Sequence, residues 1–135
     1  MSNLFKHSIE INPRQAMVDI TSQVKEDIKN SDIENGIVVV YCPHTTAGIT
    51  INENADPDVL RDLIYGFEKP YPSSDDNYRH FEGNSHAHLK SSVIGASQTF
   101  ILNHGNLILG RWQNIYFCEF DGPRDRTFYV KIIEG

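Results

Sequence analysis

The amino-acid sequence predicts an α+β fold, a mainly antiparallel β-sandwich with two or three helices. Short runs of alternating or β-branched apolar residues recur along the chain, and turn-forming residues separate them. Two or three segments with a helical spacing of apolar residues lie between these runs. The sequence contains neither a regular βαβ alternation nor the Gly-rich phosphate loop that marks a nucleotide-binding fold.

Length and charge limit the classes of protein to which the chain can belong. Its 135 residues, of which 39% are hydrophobic and 22% charged, suit a single globular domain over 1–135. The net charge of -6 disfavours binding to nucleic acid, because an acidic chain repels phosphate backbones. No apolar run approaches the roughly 20 residues that span a membrane, and no signal-peptide pattern opens the chain. With only Cys42 and Cys118 as thiols, a soluble cytoplasmic protein is expected.

The predicted strands and helices follow one another along the chain. Strands are expected at Leu4–Ile11, Ile37–Cys42, Thr45–Ile51, Thr99–Leu102, Leu107–Leu109, Trp112–Phe120 and Thr127–Ile133, and helices at Thr21–Asn30, Asp56–Gly66 and Asn84–Gly95. The β-branched run Ile37–Cys42 is typical of a strand that is buried on both faces. Asp56 and Asn84 are the polar residues expected to cap the second and third helices.

A long polar loop and a cluster of histidines lie in the acidic middle of the chain. Lys69–Gly83 has many turn formers and few apolar residues, and a loop of about 15 residues in a small domain is usually functional or disordered. Residues 53–82 hold eight acidic and three basic side chains. His80 lies within this segment, and His86 and His88 follow it closely. Clustered imidazoles among carboxylates favour a bound cation, and a solvated acidic loop is the alternative interpretation.

Helical geometry limits which of these histidines can act together. If residues 84–95 form a helix, His86 and His88 point to nearly opposite sides, because adjacent helical positions differ by about 100°. Ser91 and Ser92 would then lie on the side of His88 and could hold its ring. If the segment is extended, the two histidines share one face instead.

His44 follows a predicted buried strand, and strand ends commonly carry reactive groups. Cys42 is two residues away, and a Cys–His nucleophile pair is one interpretation. A cysteine in a β-branched run is more often a small apolar side chain of the core. His7 is expected to be a hydrogen-bonded core residue and His104, beside a glycine, a turn residue.

Two arginines near the C-terminus suggest an anion site. Arg124 and Arg126 follow a Gly-Pro turn, and paired guanidinium groups hold phosphate or carboxylate through forked hydrogen bonds. The alternative interpretation is that they form surface salt bridges with Asp121 and Asp125.

Three long segments resemble the signature motifs of the YjbQ family. Cys42–Pro57 (CPHTTAGITINENADP) resembles the first signature and Tyr78–Gly95 (YRHFEGNSHAHLKSSVIG) the second. Gly105–Ile115 (GNLILGRWQNI), together with Glu119, is similar to the third. The segments occur in the family's order and the resemblance covers almost the entire chain. Many family members carry the name secondary thiamine-phosphate synthase.

The resemblance implies a small α+β sandwich that assembles into a homotrimer and binds a divalent metal. Carried over residue by residue, the implied metal ligands are His44, His80 and His88. Arg126 matches an arginine of the C-terminal motif, and Arg124 lies beside it. Zinc is the ion favoured by three imidazoles, although nickel, cobalt and iron bind the same donors.

The implied function is that of a metal-dependent enzyme acting on a small phosphorylated substrate. Arg126 and Arg124 would hold its anionic end, with Arg126 also acting in catalysis. Glu53 is the candidate general acid or base and Asn52 a candidate substrate ligand, because both match motif positions. A thiamine-phosphate synthase would join a pyrimidine diphosphate to a thiazole phosphate and release pyrophosphate.

Two other functions fit the same residues. One is a metal-dependent phosphoester hydrolase. The other is a non-catalytic trimer that binds a metal or ligand, in which the histidines act as a structural clip.

Overall fold

Strands make up most of the computed structural model, which describes residues 3–135. The strands are β1 (Leu4–Ile11), β2 (Ala16–Asp19), β3 (Gly36–Tyr41), β4 (Ala47–Glu53), β5 (Ser97–Asn103), β6 (Asn106–Leu107), β7 (Gln113–Glu119) and β8 (Arg124–Glu134). The helices are α1 (Thr21–Ser31), α2 (Pro57–Glu68) and α3 (Ser85–Ile94). The predicted α+β class, with antiparallel sheets and three helices, is confirmed.

The strands form two sheets in which every neighbouring pair is antiparallel. One sheet has the order β1-β8-β3-β5-β6 and the other the order β2-β7-β4. The main core includes Val38 and Val40 of β3, Ile49 of β4 and Phe117 of β7, together with Val24 of α1. Alternate residues of each strand therefore supply the core, as expected for two packed sheets.

The three-stranded sheet is buried on its second face as well. Tyr116 and Cys118 of β7 form a smaller apolar cluster with Ala87 of α3. Helix α3 lies close to β4 because Gly48 has no side chain, and a Cβ at Gly48 would be 2.7 Å from the carbonyl oxygen of Gly95. This close packing fixes the helix that carries His88 relative to the sheet.

The expectation that β3 is buried on both faces was wrong. Val38 and Val40 are buried, whereas Ile37 is 40% and Tyr41 46% exposed. The outer face of the five-stranded sheet is open to solvent, so β3 is covered on one side only. An apolar run shows that a strand is central but not which of its faces another layer covers.

Several boundaries differ from the predicted ones. Strand β2 has only four residues and was not predicted, and β6 covers Asn106–Leu107 rather than residues 107–109. Helix α2 continues past Gly66 to Glu68. The predicted cap of this helix is confirmed, because the Asp56 side chain accepts a hydrogen bond from the backbone N–H of Asp58.

Within residues 3–135, none of the helices combines the length and the apolar character needed to cross a membrane. The longest, α2, has 12 residues, which is fewer than the roughly 20 that span a bilayer.

Candidate active site

Three separate segments of the chain bring histidines to one cleft. His44 lies in the loop between β3 and β4, His80 in the long loop between α2 and α3, and His88 on α3. These three residues line a cleft with a volume of about 430 Å³, together with Arg124 and Arg126 at the start of β8. The structure therefore places the residues predicted as metal ligands and as anion ligands around the same space.

His80 and His88 are the closest pair of imidazoles in the cleft. Their ring centroids are 5.3 Å apart and the rings meet edge to face at 83°. The Nε2 atom of His80 is also 3.8 Å from Oε2 of Glu82, whose side chain is half-exposed. Two imidazole nitrogen donors beside a carboxylate form a suitable half of a coordination shell for a divalent ion.

His44 is held in a different way. Its Nε2 accepts a hydrogen bond of 2.9 Å from the backbone N–H of Thr127, and its ring packs edge-on against Phe117. Burial, and then the charge of Arg126, lower the pKa of His44 below its usual value, so the ring is neutral at pH 7. A neutral ring that accepts at Nε2 carries its proton on Nδ1, which makes Nδ1 a donor.

Arg126 is a buried cation with a buried partner. Its Nε donates to Oε1 of Glu119 at 2.6 Å, and its Nη2 donates to Oγ1 of Thr46 at 2.8 Å. Nη2 also contacts the second carboxylate oxygen of Glu119, so the ion pair is forked. Among residues 3–135, these hydrogen bonds use Nε and Nη2 and none involves Nη1.

Arg124 belongs to a second polar group at the rim of the cleft. Its Nη2 donates to Oδ2 of Asp121 at 2.9 Å, and Nδ2 of Asn84 donates to the same oxygen at 2.8 Å. Burial would raise the pKa of Asp121, but the hydrogen bonds from Asn84 and Arg124 lower it below its usual value. The surface ion pair between Arg124 and Asp121 is therefore present. Asp121 also accepts from Asn84, so it connects Arg124 to the wall of the cleft.

Carboxylates outnumber cations around this space. The charged groups of the cleft and their direct partners are Arg124, Arg126, Glu82, Glu119 and Asp121. The group therefore contains two guanidinium groups and three carboxylates. A multiply charged anion would meet little net attraction here unless a cation accompanied it.

The donor chemistry of the cleft fits a divalent ion of the zinc type, although one ring must first move. Among residues 3–135, no three His, Cys, Asp or Glu side chains are placed to hold an ion as they stand. His80 and His88 are adjacent and face the same cleft. His44 can become a third ligand only if it gives up the hydrogen bond with Thr127, because one ring nitrogen accepts that bond and the other carries the proton.

Asn52 and Glu53 do not reach this cleft within one chain. They lie at the far end of β4, and an extended strand of this length separates them from His44 by roughly 20 Å. The side chain of Asn52 accepts from the N–H of Glu53, and the backbone carbonyl of Glu53 accepts from the Tyr116 hydroxyl. The roles predicted for both residues therefore have no geometric support within a single chain.

The structure also decides between the alternatives for the other histidines and the cysteines. Residues 85–94 are helical, and His86 points away from the cleft to a hydrogen bond of 2.8 Å with Lys90. Cys42 is in the core and burial raises the pKa of its thiol, so a thiolate nucleophile is disfavoured. His7 is hydrogen-bonded to Asp27, as predicted, but its side chain is 25% exposed and lies outside the core. His104 occupies a turn with a φ of 49°, as predicted.

Ser91 and Ser92 do not hold the ring of His88, contrary to expectation. Ser91 donates to the carbonyl of Ala47, and Ser92 donates to the backbone carbonyl of His88 itself. Serine in a helix often donates to the backbone carbonyl four residues earlier, as Ser92 does. The partner of Ser91 lies on β4, and spacing along the helix could not reveal it.

Glu119 and Asn84 are polar residues of the site to which the sequence analysis gave no part in the cleft. Glu119 ends the apolar run of β7 and is fully buried, and an acid within such a run indicates a buried partner. Asn84 was predicted only as a helix cap; it does stand at the N-cap position of α3, but its side chain makes no capping hydrogen bond.

The fold and the cleft define a class of protein: small antiparallel α+β sandwiches with a histidine- and arginine-lined cleft at the end of the sheets. Within that class, the chain belongs to the family described as UPF0047 protein YjbQ-like, whose model matches residues 6–135.

Relatives from distant organisms match almost the whole chain. UPF0047 protein YugU of Bacillus subtilis is 54% identical over 125 residues, which are 93% of this chain and 95% of the relative. A UPF0047 protein of Methanocaldococcus jannaschii is 55% identical over 130 residues, which are 96% of this chain and 94% of the relative.

Solved structures show the same fold. A YjbQ/UPF0047 family protein from Clostridium acetobutylicum superposes with a TM-score of 0.93 at 53% identity and covers 96% of this chain and 99% of its own. A YbjQ-like protein from Sulfolobus solfataricus reaches 0.93 at 32% identity, covering 98% and 96%. These descriptions establish the family and the fold and name no reaction.

Proposed function

We propose that this protein is a metal-dependent enzyme that acts on a small phosphorylated molecule. His44, His80 and His88 hold the ion, and Arg126 and Arg124 hold the phosphate. The observation that carries this proposal is the convergence of all five side chains on one cleft. Two of the histidines lie in loops, the third lies on α3, and both arginines lie on β8.

The charges of the cleft support a role for a divalent cation. Glu119 and Asp121 already pair with the two arginines, so the guanidinium groups offer hydrogen bonds with little net positive charge. A bound divalent ion supplies the missing charge and polarises phosphoryl oxygens. Arg126 then donates through Nη1 to the phosphate, while its partner Glu119 keeps the guanidinium group in one orientation.

The space beside the histidines supports a substrate with a less polar part. A second hollow of about 510 Å³ adjoins the cleft at His80 and His88 and includes Tyr78 and Leu89. A phosphate bound at the arginines leaves this hollow for a ring or carbon skeleton. The thiamine-phosphate synthase reaction needs room for two ring-containing substrates, and two hollows that share two histidines are suited to such a pair.

We assign the protein to the cytoplasm and to a homotrimeric state as part of the same proposal. Cys42 and Cys118 are both free thiols, which is compatible with a reducing compartment. Support for self-association comes from the open face of the five-stranded sheet, where Ile37 and Ile101 are exposed.

Metal content tests the first part of the proposal. Protein purified without a His tag should contain about one zinc equivalent per chain by elemental analysis. His88→Ala should lose the metal. His104→Asn is the matched control, because His104 lies in an exposed turn outside the cleft and Asn tolerates its left-handed backbone. A metal-free wild type, or a His88→Ala variant that keeps its zinc, would contradict the assignment.

Turnover assays separate the candidate reactions. The synthase predicts thiamine phosphate and pyrophosphate from the pyrimidine diphosphate and the thiazole phosphate, and the hydrolase predicts release of phosphate from an aryl phosphate. If the histidines act as a clip, His88→Ala should lower the melting temperature markedly. An enzyme should instead lose turnover and keep its fold. Absence of both reactions in zinc-loaded protein would reject the enzymatic proposal.

A further inference from the structure

Glu82 is a carboxylate of the cleft that, within residues 3–135, has no arginine or lysine partner. The other two carboxylates around this space, Glu119 and Asp121, each pair with an arginine. The charged or ionisable group nearest to Glu82 is instead the ring of His80. The side chain of Glu82 is 51% exposed, so an ion that enters the cleft can reach its oxygens.

The distance between Glu82 and His80 is closer to that of two ligands on one ion than to that of a hydrogen bond. Oε2 of Glu82 lies 3.8 Å from Nε2 of His80, and N–H···O hydrogen bonds span about 2.7–3.2 Å. Two donors bound at about 2.0–2.1 Å to a tetrahedral zinc ion lie about 3.3–3.4 Å apart. A shift of about half an ångström would therefore place both atoms on one ion.

The rings of His80 and His88 have the separation that a shared ion requires. Their centroids are 5.3 Å apart. The centroid of a ligating imidazole lies about 3.2 Å from a zinc ion, so two rings at the tetrahedral angle have centroids about 5.2 Å apart. Two histidines and one glutamate are a known ligand set of catalytic zinc sites, and this set leaves a fourth position open.

Little has to move for these three side chains to meet at one ion. Among residues 3–135, the rings of His80 and His88 and the carboxylate of Glu82 form no hydrogen bond, and His88 accepts only through its backbone carbonyl. His44, by contrast, accepts from the N–H of Thr127. Rotation of the half-exposed Glu82 side chain would complete three protein ligands before His44 leaves Thr127.

We infer that Glu82 is a direct ligand of the metal ion, bound through its carboxylate beside His80 and His88. This inference rests on the proposed function, because it takes an ion to lie at these histidines. A carboxylate ligand offsets half of the charge of a divalent ion and leaves one net positive charge. That charge still attracts a phosphate, which the already paired arginines do only weakly.

Zinc titration of the metal-stripped full-length protein against a chromophoric chelator tests the inference. Glu82→Gln should weaken zinc binding at least about tenfold, because even residues that only orient a ligand contribute about 10- to 100-fold to metal affinity. Asp76→Asn is the charge-matched control. Asp76 is an exposed acid of the same loop, and its substitution should change zinc affinity by less than about threefold.

Glu82→His separates a metal ligand from a nearby negative charge. Histidine lacks the carboxylate charge, as glutamine does, but it is a good zinc donor. This variant should therefore bind zinc at least about fivefold more tightly than Glu82→Gln. In the absence of metal, both variants should melt together with the wild type, since a half-exposed side chain without a hydrogen bond contributes little to the fold.

The outcomes separate this inference from the proposed function. Wild-type zinc affinity in Glu82→Gln, an equal loss in Asp76→Asn, or a Glu82→His variant no better than Glu82→Gln would overturn the role of Glu82. Each of these results would leave the histidine site standing. A wild type that binds no zinc would overturn the proposed function and this inference with it.

Discussion

Arg126 is a buried cation that a buried carboxylate holds in one orientation. Its guanidinium group is 5% exposed and its partner Glu119 is fully buried, so neither charge is solvated by water. Such a pair contributes little net stability by itself, but removal of one partner leaves an uncompensated charge. The pair is therefore better explained by orientation of the arginine than by stability of the fold.

Glu119→Gln should destabilise the protein by about 3–5 kcal/mol, because Arg126 would remain buried without a counter-charge. Urea unfolding of the two proteins at pH 7 measures this difference. Glu82→Gln is the control, since Glu82 lies in the same cleft but is half-exposed, and it should change stability by less than about 1 kcal/mol. Equal effects of the two substitutions would contradict the account of the buried pair.

The hydrogen bond between His44 and Thr127 gives a direct test of the third metal ligand. If His44 binds the ion, it must release the backbone N–H of Thr127. Zinc addition should then shift the Thr127 amide proton upfield in NMR spectra and speed its exchange with solvent. The amide of Val130, further along β8, should change little. Zinc binding with an unchanged Thr127 amide would exclude His44 from the ligand set.

At the scale of elements, a partly buried polar cluster around Glu68 holds the start of the long loop that carries His80. Glu68, at the end of α2, accepts from the fully buried Lys90 of α3 and from both the N–H and the hydroxyl of Ser73. Gln15 also donates to it. The carboxylate therefore joins α2, α3 and the start of the loop that carries His80.

The Glu68 carboxylate should make the free energy of unfolding depend on pH in the acidic range. Burial would raise the pKa of Glu68, but the hydrogen bonds from Lys90 and Ser73 outweigh it and lower the pKa from 4.5 to about 2. A lowered folded-state pKa stabilises the protein above the unfolded value of 4.5, and that contribution is lost as the pH falls towards 2.

Urea unfolding at several pH values tests this prediction. The wild type should lose stability between pH 4.5 and 2, and Glu68→Gln should show a smaller loss over the same range. Asp76→Asn, in an exposed part of the loop, should follow the wild type. If Glu68→Gln and the wild type lose stability in parallel, Glu68 does not anchor the loop.

Local patterns predicted the elements better than they predicted the site. Alternation marked β1, and the Asp56–Pro57 pair marked the start of α2, because both signals depend on neighbours in sequence. The four residues of β2 carried too short a pattern to detect. The exposed face of β3 depends on which layers pack together, and that is a property of the whole fold.

The site depends on contacts between residues far apart in the chain. Composition and spacing identified His44, His80 and His88 as candidates, and the motif resemblance grouped them. Neither could show that Asn84 turns from its helix towards Asp121, since the two residues are 37 positions apart. The role of a polar residue that acts through a distant partner can be recognised only once the fold shows where that partner lies.

At the scale of the whole molecule, the open face of the five-stranded sheet is the feature that one chain leaves unexplained. Ile37 of β3 pairs with Ile101 of β5 on one side and with Ile133 of β8 on the other. Their exposed fractions are 40%, 60% and 44%, and together they form a continuous apolar strip. Such a strip on a sheet face is typical of a surface that another chain covers.

Ile101→Lys should therefore convert a homotrimer of the 15.4 kDa chain into monomers in sedimentation velocity experiments. The side chain is largely exposed, so a lysine at this position should leave the fold of one chain intact by circular dichroism. Val93→Lys is the matched control, because Val93 is 54% exposed on α3, away from this face. A wild type that sediments as a monomer would remove the argument for the trimer. A trimer that survives Ile101→Lys would move its interface to another surface, with α2 as the next candidate since none of its side chains is fully buried.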